Sequence, residues 1–164
     1  MATDGDRTFG TGAALVVLVG AAMVIVSFRF LDWYDVPARA ADTPGSITFN
    51  TLHDGASQLS GAGAASAYFG WLAWILLIAG VLVGVAAALP SPVADGLRVV
   101  GFLIGLLGVA ATYFAIAQYR NAQQAAGAAK HGIFENTTWG VWAALAGFLL
   151  TALGAVLGPR RRTR

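Results

Sequence analysis

The sequence predicts an all-α membrane protein, a bundle of four transmembrane helices with a small extracytoplasmic cap that includes a short β-hairpin. Composition gives the first indication, because 57% of the 164 residues are hydrophobic and only 11% are charged, against about 25% in a soluble domain. The second is that four long segments contain no Asp, Glu, Lys, Arg or His. About 20 apolar residues, at 1.5 Å per residue, suffice to cross a hydrocarbon core about 30 Å thick. We treat residues 1–164 as one membrane domain.

The first apolar segment covers residues 8–28 and has an alternative interpretation. The letters "ARA" at residues 38–40 fit the small-residue site of a signal peptidase, which would make this segment a cleaved signal. The preceding "MATDGDR" is not clearly cationic, however, and the apolar run is longer than the roughly 7–15 residues of such signals. A retained helix is the favoured prediction.

The other predicted transmembrane helices cover residues 68–89, 99–119 and 139–157. A soluble bundle would carry polar residues along one face of each helix, and these segments have almost none. The alanine-rich "YRNAQQAAGAAKHG" should extend the third helix outward to about residue 130, before Gly132 ends it. The short "PSPVADGLR" forms a tight turn between the second and third helices.

Two longer connections, residues 29–67 and 120–138, should form the cap. The stretch "SITFNTL" alternates polar and apolar residues between Pro44–Gly45 and a predicted "HDG" turn, which indicates a short strand. "DWYDV" at residues 32–36 is its predicted partner in a hairpin. "GIFEN" should return as another extended piece.

The distribution of positive charge predicts the orientation. Six Lys and Arg residues fall on one side of the predicted bundle and four on the other; the sets are Arg7, Arg98, Arg160, Arg161, Arg162 and Arg164, and Arg29, Arg39, Arg120 and Lys130. Cytoplasmic segments carry the excess of Lys and Arg. Both termini, including the basic tail 158–164, are therefore predicted to be cytoplasmic, with the cap outside.

Aromatic residues gather at the outer helix ends. Tyrosine and tryptophan favour the membrane–water interface, so the group should anchor the cap at headgroup depth. Because tryptophan also dominates protein interfaces, the same rings are candidate anchors for a partner. The candidates are Trp33, Tyr34, Trp71, Trp74, Trp139 and Trp142, with Tyr68 and Tyr119 nearby in the predicted belt.

Glycine recurs at helical spacing within the apolar segments. Small residues let helix backbones approach closely in lipid, where apolar side chains gain little by leaving the solvent. At about 100° per residue, the glycines point away from the tryptophan faces, toward the bundle interior. The predicted packing positions are Gly80, Gly84, Gly101, Gly105, Gly140, Gly147 and Gly154.

The sequence offers little catalytic chemistry, so no enzymatic activity, cofactor or metal is expected. Cysteine is absent, and no nucleophile elbow or glycine-rich phosphate loop is present. His53 beside Asp54 and His131 near Glu135 do not supply the three or four ordered ligands of a zinc site. A net charge of +2 is too small to indicate nucleic-acid binding.

The chain resembles a group of small four-helix (tetraspan) membrane proteins typical of high-GC Gram-positive bacteria. The resemblance rests on a first helix ending in "FLDWYDV", a "SITFNTLHD"-like strand, and a final "GVWAALAGFLLTALGAVLG" helix with a basic tail. In that group the first helix often ends in Leu-Pro-Trp-aromatic, and Asp32 stands here where proline is usual. It implies the tetraspan layout and no catalytic residue. The larger first outer loop is also similar in topology to claudin-like proteins.

Two functions are consistent with these features. The first is a non-enzymatic accessory or scaffold subunit of the cell membrane that binds the bilayer and another membrane or envelope protein, or a second copy of itself. The alternative is a small transporter or channel subunit that acts as an oligomer. Carriers place ionisable groups or broken helices inside the membrane, and neither is visible here.

Overall fold

The computed structural model describes residues 7–36, 45–128, 130, 132–158 and 160–161. Over these residues the chain is mostly helical, with five helices and four short strands. In chain order they are β1 (Arg7–Thr8), α1 (Thr11–Phe30), β2 (Asp32–Val36), β3 (Gly45–Thr48), α2 (Phe49–Gln58), α3 (Gly63–Ala87), α4 (Ala94–Ala125), α5 (Trp139–Leu157) and β4 (Arg160–Arg161).

Helices α1, α3, α4 and α5 are long and apolar enough to cross a membrane. This confirms the four predicted helical segments. α3 begins at Gly63, five residues before the predicted start, and α4 begins at Ala94, also five residues early. The predicted outward extension of α4 to about residue 130 stops at Ala125.

Helix α3 changes its winding near the cap. Residues Tyr68–Leu72 form a π-helical turn between two α-helical portions, Gly63–Ala67 and Ala73–Ala87. The N–H of Ala73 correspondingly donates to the carbonyl of Tyr68. A π turn inserts one extra residue and shifts the face that the following residues present.

Glycines mark where the helices touch. All seven predicted packing glycines are buried in α3, α4 or α5. Close backbone contacts join α5 to α1 and to α4: a Cβ placed on Gly147 would lie 2.6 Å from the Gly20 carbonyl oxygen, and one on Gly105 would lie 2.7 Å from the Ala152 nitrogen. Helix backbones therefore meet directly along both interfaces, with no room for a side chain.

The two ends of the bundle differ in composition. At one end, which we call the arginine end, β1 pairs antiparallel with β4, so that Arg7 lies opposite Arg161 in register. The turn after α3 lies at the same end, because the Gly10 N–H donates to the Ala88 carbonyl at 2.9 Å. The described members of the predicted six-residue basic set therefore lie at one end of the bundle; they are Arg7, Arg98, Arg160 and Arg161.

The opposite end, the cap end, is built from β2, β3, α2 and the segment before α5. β2 and β3 form the predicted antiparallel hairpin, with Val36 opposite Gly45 and Asp35 opposite Ser46. The predicted strand "SITFNTL" is too long, since only Gly45–Thr48 is extended and a helix begins at Phe49. Thr48 caps that helix by accepting a hydrogen bond from the Thr51 N–H; the predicted "HDG" turn is therefore helical.

The "GIFEN" segment also departs from the prediction of an extended return. Residues 133–136 form turns, and Asn136 adopts a positive φ of 60°. An isolated bridge then joins Thr137 to Tyr34 of the hairpin. Several residues named above lie outside the described residues: the "ARA" of the alternative cleaved-signal interpretation at 38–40, Pro44, His131 and the tail residues 162–164.

Candidate interaction surface at the cap end

Trp33 occupies the centre of the cap, contrary to its predicted role as a membrane anchor. Its side chain is fully buried, its ring packs edge-on against Phe49 and Phe69, and its indole N–H donates to the Ser27 carbonyl at 3.2 Å. The prediction was wrong because the chain folds back after α1 and lays β2 across the top of the bundle. A ring at a helix end thereby becomes core.

Tyr34 is buried as well, although adjacent strand residues ordinarily face opposite sides. A register irregularity between Asp32 and Tyr34 interrupts that alternation. The Arg120 guanidinium lies 4.4 Å from the centre of the Tyr34 ring and donates from Nη2 to the Glu135 carbonyl. Burial raises the pKa of Tyr34 to about 12, and the positive charge of Arg120 opposes part of that rise. Arg120 therefore ties the hairpin to the segment before α5.

Of the two histidine–acid pairs considered as metal sites, the structure describes both members of the first, His53 and Asp54. His53 Nδ1 lies 3.1 Å from the Ser66 carbonyl oxygen, and the ring rests on Gly70 in the π turn, where a Cβ would be 2.9 Å from the imidazole. Asp54 is exposed on α2. No cluster of three metal-ligating side chains occurs among the described residues, a range that excludes His131.

Buried hydroxyl groups within the four long helices are used for packing. The Tyr68 hydroxyl lies 2.5 Å from Thr112 Oγ1, and the Thr112 hydroxyl donates to the Gly108 carbonyl, so Tyr68 is the donor of the pair. Thr151 likewise donates to the Gly147 carbonyl, and Ser27 donates to the Gly140 carbonyl across the α1–α5 interface. These bonds leave the four hydroxyls paired inside the bundle.

The remaining predicted anchors lie partly or wholly on the surface. Trp74 is half-buried against Phe28, with the Arg29 guanidinium 5.5 Å from its ring. Trp71 is 57% exposed in the π turn, and Trp139 and Trp142 are 81% and 49% exposed at the start of α5.

Trp142 belongs to a row of aromatic rings that crosses three parts of the chain. Its ring stacks on Phe134 at 5.3 Å, and Phe134 contacts Tyr113 of α4 at 5.9 Å. All of these rings are more than one-third exposed. We call the set Tyr113, Phe134, Trp139 and Trp142 the aromatic surface.

An open groove of about 510 Å³ lies beside the aromatic surface. Trp139 and Trp142 form its apolar wall, and Asp35, Thr137 and Thr138 supply carboxylate and hydroxyl groups. The Thr138 hydroxyl donates to the Asp32 carbonyl, which fixes the start of α5 against the hairpin. The arrangement offers a flat apolar contact with a polar rim, as at the centre of a protein interface.

The sequence predicted the two tryptophans of this surface as candidate anchors, but not Tyr113, Phe134 or the position of Asp35 in the groove. Trp139 and Trp142 are three residues apart and share a helical face, which a helical wheel reveals. Phe134 meets Trp142 only because a turn at residues 133–136 places it there. No signal in the local sequence marks that contact.

Comparison of the chain with protein-family models, with curated proteins and with solved structures gave no match.

Proposed function

We propose that this chain is a multi-pass protein of the cell membrane, without enzymatic activity, that acts as an accessory or scaffold subunit for another membrane or envelope protein. The four long apolar helices support insertion, because their outward faces carry exposed Leu, Val and Phe side chains that favour a lipid environment. The excess of arginine at one end supports cytoplasmic termini and a cap outside.

The aromatic surface is the observation that supports partner binding. Phe134 already stacks on Trp142 and contacts Tyr113, so these three rings need little further ordering when a partner covers them. Tryptophan at the centre of an interface contributes about 2 kcal/mol or more, roughly thirtyfold in affinity. The tryptophans supply apolar contact area for such a partner, and the polar groups in the groove fix its orientation.

The alternative of a transporter or channel subunit has less support. A conduction path needs ionisable groups or unpaired polar groups facing a channel. The four apolar segments contain no charged residue, and Ser27, Tyr68, Thr112 and Thr151 form hydrogen bonds within the bundle.

The test is site-specific photo-crosslinking in intact cells. A photoreactive residue at Trp139 should crosslink to one discrete protein, either a partner or a second copy of the chain. The same residue at Leu82, which is 66% exposed on α3, is the control and should crosslink mainly to lipid. If Trp139 gives only lipid adducts, the aromatic surface is an anchor and the proposal fails.

A matched pair of variants measures the contribution of the surface. For this comparison the photoreactive residue is placed at Phe134. The double variant Trp139→Ala and Trp142→Ala should then lose the crosslinked complex, while its insertion into the membrane stays unchanged. Trp71→Ala removes an exposed tryptophan outside the surface and should preserve the complex. Equal losses in both variants would contradict a defined binding surface.

A further inference from the structure

The arginine end contains a second groove, of about 320 Å³, between the first turns of α4 and the last turn of α5. Val99, Phe102 and Val156 line its apolar part, and Val99 and Val156 are exposed. Arg98 and Asp95 line its polar part. The groove therefore combines an apolar wall along two of the long helices with a cation at their ends.

Arg98 is held in place at the mouth of this groove. Its Nη1 lies 2.9 Å from the Asp95 carboxylate, and its guanidinium covers Gly158, where any side chain would collide with it. Gly158 has a φ of 57° and ends α5, so the chain turns away and leaves space for the guanidinium. The Arg98 side chain keeps 27% of its surface exposed, and its buried Nε has no hydrogen-bond partner. A phosphate therefore has access to the exposed part of the guanidinium, which carries N–H donors.

More positive charge lies close by along the chain. β4, with Arg160 and Arg161, begins two residues after Gly158 and pairs with β1, which brings Arg7 to the same end. Against these arginines, Asp95 is the acidic residue of the groove. The chain segments that contain Arg7, Arg160 and Arg161 therefore meet at the end of the bundle where the apolar wall lies.

We propose that this groove binds an anionic phospholipid, with the phosphate at Arg98 and an acyl chain along Val99, Phe102 and Val156. Arginine binds phosphate oxygens through paired N–H donors, and each Lys or Arg near an anionic leaflet contributes about 1 kcal/mol, roughly fivefold in affinity. The apolar wall selects a lipid over a free phosphate because a headgroup alone leaves Phe102 uncovered. This inference presupposes membrane insertion and is independent of the aromatic surface.

The experiment uses the purified full chain in mild detergent with equal amounts of phosphatidylglycerol and phosphatidylcholine of the same acyl chains, and native mass spectrometry to count retained lipid. The wild type should retain phosphatidylglycerol preferentially. Arg98→Gln should lower that preference about fivefold, while Lys130→Gln, which removes the same charge from the exposed cap end, should not change it. Equal loss in the two variants, or no preference in the wild type, would overturn the proposal.

Two further measurements cover a folding defect and the nature of the ligand. If Arg98→Gln does not fold, Arg98→Lys takes its place and keeps the charge. Its preference for phosphatidylglycerol over phosphatidylcholine should be weaker than that of the wild type but not lost. A preference as strong as in the wild type would contradict a phosphate contact through paired guanidinium donors. Glycerol phosphate at the lipid concentration should not displace phosphatidylglycerol from the wild type. Displacement by glycerol phosphate would show a simple anion site and refute the lipid assignment.

Discussion

Contact between Gly101 of α4 and Ala155 of α5 allows a sharp test of the helix packing. A Cβ placed on Gly101 would lie 2.8 Å from the Ala155 Cβ, while the next atoms, in Val83 and Gly84, stand at 3.4 and 3.7 Å. An ordinary contact begins at 3.4 Å, so Gly101→Ala must separate the helices by about 0.6 Å, the difference between 3.4 and 2.8 Å, or distort them. Overpacking of this kind costs about 1–3 kcal/mol, and the better helix propensity of alanine returns up to about 1 kcal/mol.

Two comparisons isolate the steric contribution. Gly96 lies in the same helix with no atom near its Cβ position, so Gly96→Ala should raise the free energy of unfolding by about 0.5–1 kcal/mol. Combining Gly101→Ala with Ala155→Gly moves the methyl group from one helix to the other and removes the clash. The double variant should be about 1–2 kcal/mol more stable than the sum of the single effects, which is a positive coupling between neighbours.

The neighbouring contact should behave differently. A Cβ on Gly105 would meet the backbone nitrogen and Cα of Ala152 at 2.7 and 2.8 Å as well as its Cβ. Ala152→Gly therefore should not rescue Gly105→Ala. Reversible unfolding in mixed detergent micelles, followed by tryptophan fluorescence, provides the free energies. If Gly101→Ala is as stable as Gly96→Ala, or if the first pair shows no coupling, the packing argument is refuted.

The remaining predictions concern topology, burial and ionisation. A cysteine at Ser57 should react with an impermeant thiol reagent on intact cells and one at Ser91 should not; the reverse pattern would overturn the proposed orientation. Trp33→Ala should cost about 3–5 kcal/mol of stability because the ring is fully buried, whereas Trp139→Ala, at an exposed ring, should change stability by less than about 0.5 kcal/mol; equal effects in unfolding would contradict the burial of the cap. Because burial raises the pKa of Tyr34 from 10.0 to about 12, its contribution to stability is full below pH 10 and is lost as the pH rises toward 12. Tyr34→Phe should therefore show a smaller alkaline loss of stability, and an unchanged pH profile would refute the assignment.

Hydropathy predicted the helices well because the signal it measures is local. The bounds of α5, Trp139–Leu157, agree with the predicted segment. The early start of α3 at Gly63 was not predicted because the residues "GAASA" are small and only weakly apolar, and hydropathy does not distinguish such a helical turn from a loop. The same limit applies to α4, whose first turns contain Asp95 and Arg98.

The cap was predicted less well because its structure depends on contacts between distant residues. The hairpin partner of "DWYDV" could be read from alternation, and Thr48 is a recognisable helix cap. The burial of Trp33 could not be predicted from the sequence, because an aromatic ring at a helix end can lie among lipid headgroups or be buried in a folded cap. Only the path of β2 over the bundle decides between them. In the candidate surface, the contact of Phe134 with Trp142 could not be predicted either, because it depends on the turn at residues 133–136.

The broad α1–α5 interface has a consequence for biosynthesis. The hydroxyl of Ser27 bonds to the carbonyl of Gly140, 113 residues further along the chain. At about 5–20 residues per second, α1 waits roughly ten seconds in the membrane before the ribosome has delivered its partner. During that interval the side chains that will face α5 are open to other helices. A nascent chain that stops before Trp139 keeps this face open permanently, which should mark it for the proteases that clear orphan membrane segments.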